Sequence, residues 1–341
     1  MSSLSTIPVG AFTPSAAAAI AQAIAQMGIS STGLVYYCDP VNGLDTNNGQ
    51  APANGSPGSG IGPVQTLGAG YNLLRSGFND TLILIGNGAS SGSARIHANF
   101  VWSKSATRLI GICAPSAISQ RARIANGTSD VAFANFFTVS GSGCLFQNLS
   151  FFQGFTAGIA AEILLTISGA RNAFINCDFE GMGDTTGATD NGSRCILFKA
   201  GGAENYFGHC NVGLDTVVRT GTNSSIEWSG NSCQRNYFED CNFVIDSGDG
   251  DGFIFYAAAA AAADRFQLFK RCIFINAIQS GATAVAALAS LAASMGGMIV
   301  MFDCMTVGFT KLGGGVSATD GQMYVYGQAA AQTAYLADSP S

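Results

Sequence analysis

The sequence predicts an all-β chain that forms a parallel β-helix, and three observations predict it. A short unit containing a cysteine recurs along the chain, a second unit ending in glycine recurs in step with it, and both alternate apolar and polar residues as strands do. The first unit places Leu or Cys at positions 149, 177, 210, 241, 272 and 304, so its steps are 28 to 33 residues. Two units with one period indicate a solenoid whose repeats stack on one another.

The first unit has the pattern Phe-x-x-Cys-x-Phe, as in Phe174–Phe179 and Phe238–Phe243. Strict alternation would point Phe and Cys to opposite faces, so the spacing predicts a bend between them that lets both point inward. Stacked coils place equivalent residues about 4.8 Å apart, but equally aimed Cβ vectors do not favour a disulfide. We therefore expect a ladder of buried free thiols. Since there is no C-x-x-C pair and the two histidines are isolated, no metal site is predicted.

The second unit is an alternating run that ends at Gly141, Gly169, Gly201 and Gly230. The units contain no amphipathic helix of about 12 residues, which argues against TPR, HEAT and ankyrin repeats, and a WD40 repeat would be longer. Short strands separated by Gly, Asn and Asp turns fit one coil of a parallel β-helix.

The chain before the repeats predicts an extended arm, Met1–Phe12, and a short Ala-rich helix over Pro14–Met27 that Gly28 ends. This helix is expected to cap the open end of the β-helix or to contact a partner. The predicted division is arm and helix over 1–33, parallel β-helix over 34–311, and a C-terminal tail or strand segment over 312–341. Within the β-helix, Tyr36–Gly49 is assigned to structural turns, with a calcium loop as the alternative.

Composition excludes several classes of protein. The net charge is −6, whereas a non-specific nucleic-acid binder would be basic. The apolar tract Phe253–Ala263 is too short to span a membrane. Met1–Met27 contains no Lys or Arg, which argues against a secretory signal. The ten cysteines are therefore expected to be reduced.

Tyr36–Gly49 together with Pro63–Leu67 resembles the opening segment of phage and bacterial right-handed parallel β-helix proteins. Thr107–Ile124 is similar to β-helix proteins from phage structural gene modules. The resemblance extends over about residues 35 to 310. It implies a right-handed helix in a virion protein, which is a head decoration, a tail spike or a tail fibre and is commonly a trimer.

No catalytic motif stands out. The densest acidic cluster, Asp246–Gly252, is assigned to a Gly-rich turn, with the paired carboxylates of a glycan-cleaving site as the alternative. Arg219 and Arg235 are the basic residues that approach it across coils in that alternative. The other acidic residues considered are assigned to outward strand positions and turns: Asp178, Glu180, Asp184, Glu239 and Asp240. The chain has neither a G-x-S-x-G elbow nor a P-loop. We therefore predict no catalytic, cofactor-binding or metal-binding residue, and we predict that the protein is not an enzyme.

The predicted function is that of a capsid decoration, or cement, protein that binds the outside of an icosahedral phage head and stabilises it. Its predicted partners are two further copies in a homotrimer and the phage major capsid protein, without nucleic acid or membrane. The predicted location is the capsid surface of the virion, after assembly in the host cytoplasm. Ile7, Val9 and Phe12 are predicted to contact the capsid, because they are apolar on an uncharged arm that cannot bury them locally.

Two alternatives stay open. The arm could cap the first coil instead of binding the capsid. The whole protein could be a receptor-binding tail spike or fibre with polysaccharide depolymerase activity. A bacterial adhesin is disfavoured by the missing signal.

Overall fold

The chain winds into a parallel β-helix in the computed structural model, which describes residues 33–113, 122–130, 132–247, 252–259, 261–277, 287–292, 295–309, 311–313 and 323–326. Every strand pair in these ranges is parallel and joins one coil to the next, as in the register of Leu165 with Phe137 and Ile196. The predicted right-handed parallel β-helix is confirmed. The predicted arm and helix, Met1–Met27, lie outside the described residues, and the division into three segments stays a prediction.

Each coil contributes strands to three sheets, here called sheets A, B and C. Sheet A contains β1 (Val35–Cys38), β2 (Thr81–Ile85), β5 (Arg108–Ile112), β8 (Leu145–Gln147), β11 (Ala173–Ile175), β14 (Tyr206–Gly208), β17 (Cys233–Gln234), β18 (Tyr237–Glu239), β21 (Ala263–Lys270), β24 (Gly297–Phe302) and β27 (Met323–Tyr326). Sheet B contains β3 (Ala94–Ile96), β6 (Arg123–Asn126), β9 (Ser150–Phe152), β12 (Asp178–Glu180), β15 (Asn211–Val212), β19 (Asn242–Ile245), β22 (Ile273–Asn276) and β25 (Met305–Val307). Sheet C contains β4 (Phe100–Trp102), β7 (Asn135–Val139), β10 (Ile163–Ile167), β13 (Arg194–Phe198), β16 (Ser224–Trp228), β20 (Phe253–Ala257), β23 (Ala287–Leu291) and β26 (Lys311–Gly313).

In the described ranges the helices are few and short. They are the α-helices Leu67–Leu73 and Thr185–Thr189 and the 3₁₀ turn Ser90–Gly92. The first helix packs on the first coils, and a Cβ at Gly70 would lie 2.8 Å from the end of the Leu82 side chain, so a larger residue there would require Leu82 to move. None of the helices in the described ranges is long and apolar enough to cross a membrane.

The predicted bend between Phe and Cys is present in every copy of the first unit. The residue before the Leu or Cys has a positive φ of 52° to 56° in all six copies, namely Asn148, Asn176, His209, Asp240, Arg271 and Asp303. This left-handed residue turns the chain from sheet A to sheet B. The Phe two residues before it (Met301 in the last copy) and the Leu or Cys after it are consequently both fully or almost fully buried.

Stacked rings and thiols fill the interior. Phe146, Phe174, Phe207, Phe238 and Phe269 stack with neighbouring ring centroids 4.5 to 4.8 Å apart. Beside them run the thiols of Cys177, Cys210, Cys241, Cys272 and Cys304, all free and buried. The predicted core ladder of free thiols is confirmed.

The alignment of the second unit is wrong by one residue in its third copy. Phe198 is in register with Ile167 and Trp228, so Ala200, not Gly201, occupies the position of Gly169. The alternation decides the register: Ile196 and Phe198 are buried in the core, while the extra residue is absorbed in the turn that follows, where Gly201 has a φ of 90°.

A buried row of side-chain amides, the amide ladder, crosses the turns from sheet C to sheet A. The Oδ1 atom of Asn205 accepts the backbone N–H of Asn172 at 3.0 Å, and the Oδ1 atom of Asn236 accepts that of Asn205 at 3.0 Å. Asn236 Nδ2 continues the row by donating to Gln267 Oε1 at 3.0 Å. Each amide thereby satisfies a buried group of an adjacent coil, which would otherwise be costly to desolvate.

Candidate active site

The residues that the sequence singled out for binding fall largely outside the described part of the chain. Ile7, Val9 and Phe12 lie outside it, so their predicted capsid contact stays a prediction. Within the acidic cluster, Asp249 and Asp251 also lie outside.

The described member of that cluster, Asp246, is 1% exposed. Arg219 does approach it, because the Arg219 backbone N–H donates to the Asp246 carbonyl oxygen at 2.7 Å. Arg235 does not, since its guanidinium binds Glu204 at 2.9 Å.

Asp39 and Asp45 hold structural turns, as predicted. Asp39 Oδ1 accepts the backbone N–H groups of Val41 and Asn42 at 2.9 and 3.0 Å. Asp45 Oδ1 accepts those of Gln65 and Thr66 at 2.8 and 2.7 Å. Among the described residues no group of three or more His, Cys, Asp or Glu side chains is placed to hold a metal ion.

Glu239 and Asp240 face outward from sheet A, as predicted, and both bind Arg271. Arg271 Nη2 lies 2.8 Å from Glu239 Oε1 and its Nε lies 2.7 Å from Asp240 Oδ1. Lys270 also binds Glu239, at 3.0 Å, and this hydrogen bond is the main cause that lowers the pKa of Glu239. Glu239 is therefore held ionised at neutral pH and is a poor proton donor.

Asp178 and Glu180 lie at outward strand positions, as predicted, but they are not exposed to solvent. They flank the core residue Phe179 on β12, so alternation places them on the outer side of sheet B, yet they are 1% and 7% exposed. Burial is tolerated at Asp178 because Asn211 Nδ2 of the next coil donates to its Oδ1 at 2.7 Å.

Two acidic side chains meet where sheet B passes to sheet C. Glu162 directly precedes β10, and Asp184 precedes the helix Thr185–Thr189 one coil later. The backbone of Glu162 is fixed by the neighbouring coil: its N–H donates to Ser193 Oγ at 3.1 Å, and its carbonyl accepts the Arg194 N–H at 2.8 Å. Asp184 is fixed as the helix N-cap, because its Oδ1 accepts the Gly187 N–H at 2.9 Å.

The two carboxyl groups approach each other where glycines leave space. A Cβ at Gly158 would lie 2.0 Å from Asp184 Oδ1 and 2.9 Å from Glu162 Oε1, so both oxygens border the same glycine. A Cβ at Gly187 would lie 2.7 Å from Glu162 Oε2. Any side chain at either position would displace a carboxyl group.

Glu162 is a buried acid that meets a second carboxyl group. Its side chain is 0% exposed, its Oε1 accepts the Ile159 N–H at 3.0 Å, and its carboxyl group is hydrogen-bonded to that of Asp184. Burial is the largest cause that raises the pKa of Glu162, which reaches about 8. The neighbouring acids Asp184 and Asp190 also raise this pKa, and the hydrogen bond from the Ile159 N–H lowers it. At neutral pH Glu162 is consequently mostly protonated, whereas Asp184 is partly exposed to solvent.

From the sequence Asp184 is predicted to lie in a turn, and Glu162 is not singled out. The missed signal is local: Glu162 stands immediately before the apolar run Ile163–Ile167, at a position that the strand buries. The pairing itself leaves no local signal, because the partners belong to different coils. Asp190 supports the arrangement, since its Oδ1 accepts the N–H groups of Ala161 and Gly192 at 2.6 and 2.7 Å.

No protein-family model and no curated protein matches this sequence. Among solved structures, the chain is similar to a pectin methylesterase in complex with a hexasaccharide, with a TM-score of 0.52 and 12% identity over 90% of this chain and 93% of that chain. A pectin methylesterase from Erwinia chrysanthemi gives a TM-score of 0.51 and 11% identity over the same shares. The ORF18 protein of Geobacillus virus E2 gives a TM-score of 0.27 and 13% identity over 86% of this chain and 63% of that chain. The likeness to the esterases establishes the fold, and the viral protein is too dissimilar to carry an argument.

The prediction that the protein is not an enzyme is wrong. That prediction treats the absence of sequence motifs as a reason to exclude catalysis. The solved structures that match nine-tenths of the chain are pectin methylesterases, which are carbohydrate-active enzymes. In a β-helix the side chains of one site come from different coils, as Glu162 and Asp184 do, so a site need not leave a contiguous motif. The comparisons give no support to capsid decoration.

Proposed function

We propose that the protein acts on a polysaccharide and that Glu162 and Asp184 form the acid–base pair for its hydrolysis. The observation that carries the proposal is the close approach of the fully buried carboxyl of Glu162 to the partly exposed carboxyl of Asp184 beside Gly158, and the raised pKa of Glu162 supports it. Neighbouring carboxyl groups with different environments are a common arrangement for acid–base catalysis. The fold shared with pectin methylesterases supports a carbohydrate substrate without identifying it.

The spacing restricts the reaction. Oxygens of both side chains lie within 2.9 Å of the Cβ position at Gly158, so the carboxyl groups are closer than the roughly 6.5–9.5 Å that inverting glycosidases leave for a water between them. The pair therefore acts as a unit that holds one proton. That proton passes through Asp184, the member open to solvent, to the leaving glycosidic oxygen as the C–O bond breaks. Water then supplies the hydroxyl group to the sugar carbon and returns a proton to the pair.

The test is hydrolysis of a panel of neutral and acidic polysaccharides by the full chain, measured as new reducing ends and as released ester groups. Glu162→Gln and Asp184→Asn are expected to lower the rate by roughly 10²–10⁴-fold, the usual contribution of a positioned acid or base. Asp130→Asn is the matched control, because Asp130 is an acid of a neighbouring loop that pairs with exposed His97. Unchanged rates in both pair variants, or no product from any polymer, would contradict the proposal.

This function corresponds to the depolymerase alternative of the sequence analysis. The phage tail setting, the homotrimer and the contact with a major capsid protein stay predictions.

A further inference from the structure

The outer face of sheet A carries an apolar cluster at its first three coils that is separate from the core. Tyr37, Ile83 and Ile110 are in register on β1, β2 and β5. They alternate with the core side chains of the same strands, so they point away from the interior. They are nevertheless 0%, 0% and 5% exposed. We call these three residues the outer cluster. Because they face outward and are closed to solvent, another segment must cover them.

The cover is local to these coils. In the next coils the same outward position is occupied by Gln147 and Ile175, which are partly exposed. At the last described coils it is occupied by Phe302 and Tyr326, which are 43% and 54% exposed. The position itself therefore leaves side chains open to solvent, and the burial of the outer cluster requires a segment that lies above the first three coils.

The described elements do not supply an apolar cover. Among the described residues, the apolar side chains that pack on the outer cluster are Val35 and Ile85, which belong to β1 and β2 themselves. The loop after β1 meets Tyr37 through backbone hydrogen bonds: the Gly49 carbonyl accepts the Tyr37 N–H at 2.8 Å, and the Tyr37 carbonyl accepts the Val64 N–H at 2.9 Å. Such bonds lie in the plane of the sheet and close its edge, whereas the side chains leave through its face.

We propose that the helix predicted over residues 14–27 packs along the solenoid axis on the outer cluster. Ile20, Ile24 and Met27 follow the i, i+4, i+7 pattern that places them on one face of this helix. At 1.5 Å per residue, Ile20 and Met27 lie about 10 Å apart, and three adjacent strands span about 9.6 Å. Each apolar side chain of the helix thus meets one strand. Ile24 is the middle member, so it faces Ile83 whichever way the helix runs.

The connection to β1 is long enough for this packing. The six residues from Met27 to Gly33 can extend over about 20 Å. Gly33 precedes Tyr37 by four residues, or about 13 Å of strand. The entry to β1 is itself fixed, because the Leu34 N–H donates to Asp80 Oδ1 at 2.7 Å. The helix can therefore fold back over the sheet that directly follows it in the chain.

Two alternatives agree less well with the structure. The segment 114–121, which also lies outside the described residues, contains a single large apolar residue, Ile118, too few to cover three coils. The open end of the first coil, the other place predicted for the helix, is already closed, because Val64, Leu67 and Leu74 are buried there in the core. This inference goes beyond the proposed function, since it concerns a face that the proposed hydrolysis does not use.

The test measures thiol labelling of Ile83→Cys in the full chain, with Cys113→Ser to remove the partly buried native cysteine. Ile83→Cys is expected to label slowly, and Ile112→Cys, at a position of the same sheet that is 45% exposed, is expected to label fast. Adding Ile24→Asp should speed the labelling of Ile83→Cys by roughly tenfold to a hundredfold, the effect of removing one buried apolar side chain from the docking equilibrium. Gln22→Asp, on the opposite helix face, is the matched control and should leave the rate unchanged.

A second measurement identifies what covers the cluster. The pair Ile24→Cys and Ile83→Cys, oxidised at low protein concentration, is expected to form a disulfide within one chain, and Ile24→Cys with Ile175→Cys is expected to form none. The proposal is overturned if Ile83→Cys labels as fast as Ile112→Cys, if Ile24→Asp leaves the rate unchanged, or if the disulfide joins two chains or does not form. Neither measurement uses a polysaccharide, so failure here is distinct from failure of the proposed hydrolysis.

Discussion

The Sγ atom of Cys241 lies 3.4 Å from the backbone oxygen of Phe207, one coil earlier. The same contact, at 3.4 to 3.5 Å, joins each of the other four cysteines of the ladder to the phenylalanine of the preceding coil. Each thiol therefore contacts a backbone oxygen of a sheet A strand in the preceding coil, and neighbouring thiols also interact with each other along the axis. Burial raises the pKa of Cys241 well above the ordinary thiol value.

Thiol labelling is predicted to separate the cysteines into two groups. The ladder cysteines should react slowly in the native protein and completely after denaturation, because burial blocks access of the reagent. At Cys210, Cys241, Cys272 and Cys304 a raised pKa also suppresses the thiolate. Cys113 is only partly buried and should react first. Mass spectrometry of labelled peptides gives the order, and a disulfide between ladder cysteines in fresh protein would contradict the assignment.

Phe238→Ala is predicted to destabilise the protein by about 3–5 kcal/mol, the usual effect of removing a buried ring. Phe238 is fully buried and stacks on Phe207 at 4.5 Å and on Phe269 at 4.6 Å. Chemical denaturation measures the change. Phe78→Ala is the control, since Phe78 is 56% exposed and should change stability little; equal effects of the two variants would place Phe238 outside the core.

The pKa of Glu162 predicts a loss of stability between about pH 4.5 and pH 8. In this window the folded state keeps the proton on Glu162 while the unfolded chain releases it, because the pKa rises from 4.5 to about 8 on folding. The folded state binds more protons, so stability falls as the pH rises and levels off above the folded pKa. Denaturation midpoints across this range should fall in the wild type and fall less steeply in Glu162→Gln. A parallel decline in the two proteins would mean that Glu162 is not buried as a neutral acid.

Asn236→Ala is predicted to destabilise the protein by about 1–3 kcal/mol for each buried group it leaves without a partner. Those groups are the Asn205 N–H, the Gly202 carbonyl and the Gln267 side chain. Asn72→Ala, at an exposed position of the first helix, is the control. Similar melting temperatures for both variants would show that the amide ladder does not stabilise the coils.

The homotrimer remains a prediction, and exposed apolar side chains at the last described coils give it a physical reason. Phe302, Met305 and Tyr326 are 43%, 54% and 54% exposed on neighbouring strands of sheets A and B. Adjacent exposed apolar groups are typical of interaction surfaces. Sedimentation equilibrium at micromolar concentration should give three times the 34.9 kDa chain mass, and Phe302→Ser should shift it towards the monomer. A wild-type monomer would contradict the prediction.

The fold was predictable because its information is local. Phe238, Asp240 and Cys241 lie within four residues, and the spacing of the buried Phe238 and Cys241 around the left-handed Asp240 is visible as a break in alternation. The register around Gly201 could not be predicted in the same way, because a turn can absorb one extra residue without changing the strand that follows. The carboxyl pair was unpredictable for a stronger reason: it forms only when loops of two coils meet, and each loop has its own length.

The amide ladder bears on how such a chain changes its length over evolution. Asn205 and Asn236 each bond to the coil before and to the coil after in the same manner, so the contact surfaces above and below a coil are interchangeable. Duplication or deletion of a whole coil would leave every amide with an equivalent neighbour. Insertion of a few residues into a strand would instead shift one coil against the next and break the row. Lineages of this protein should therefore differ in length by complete coils or by loop residues, and seldom within the strands.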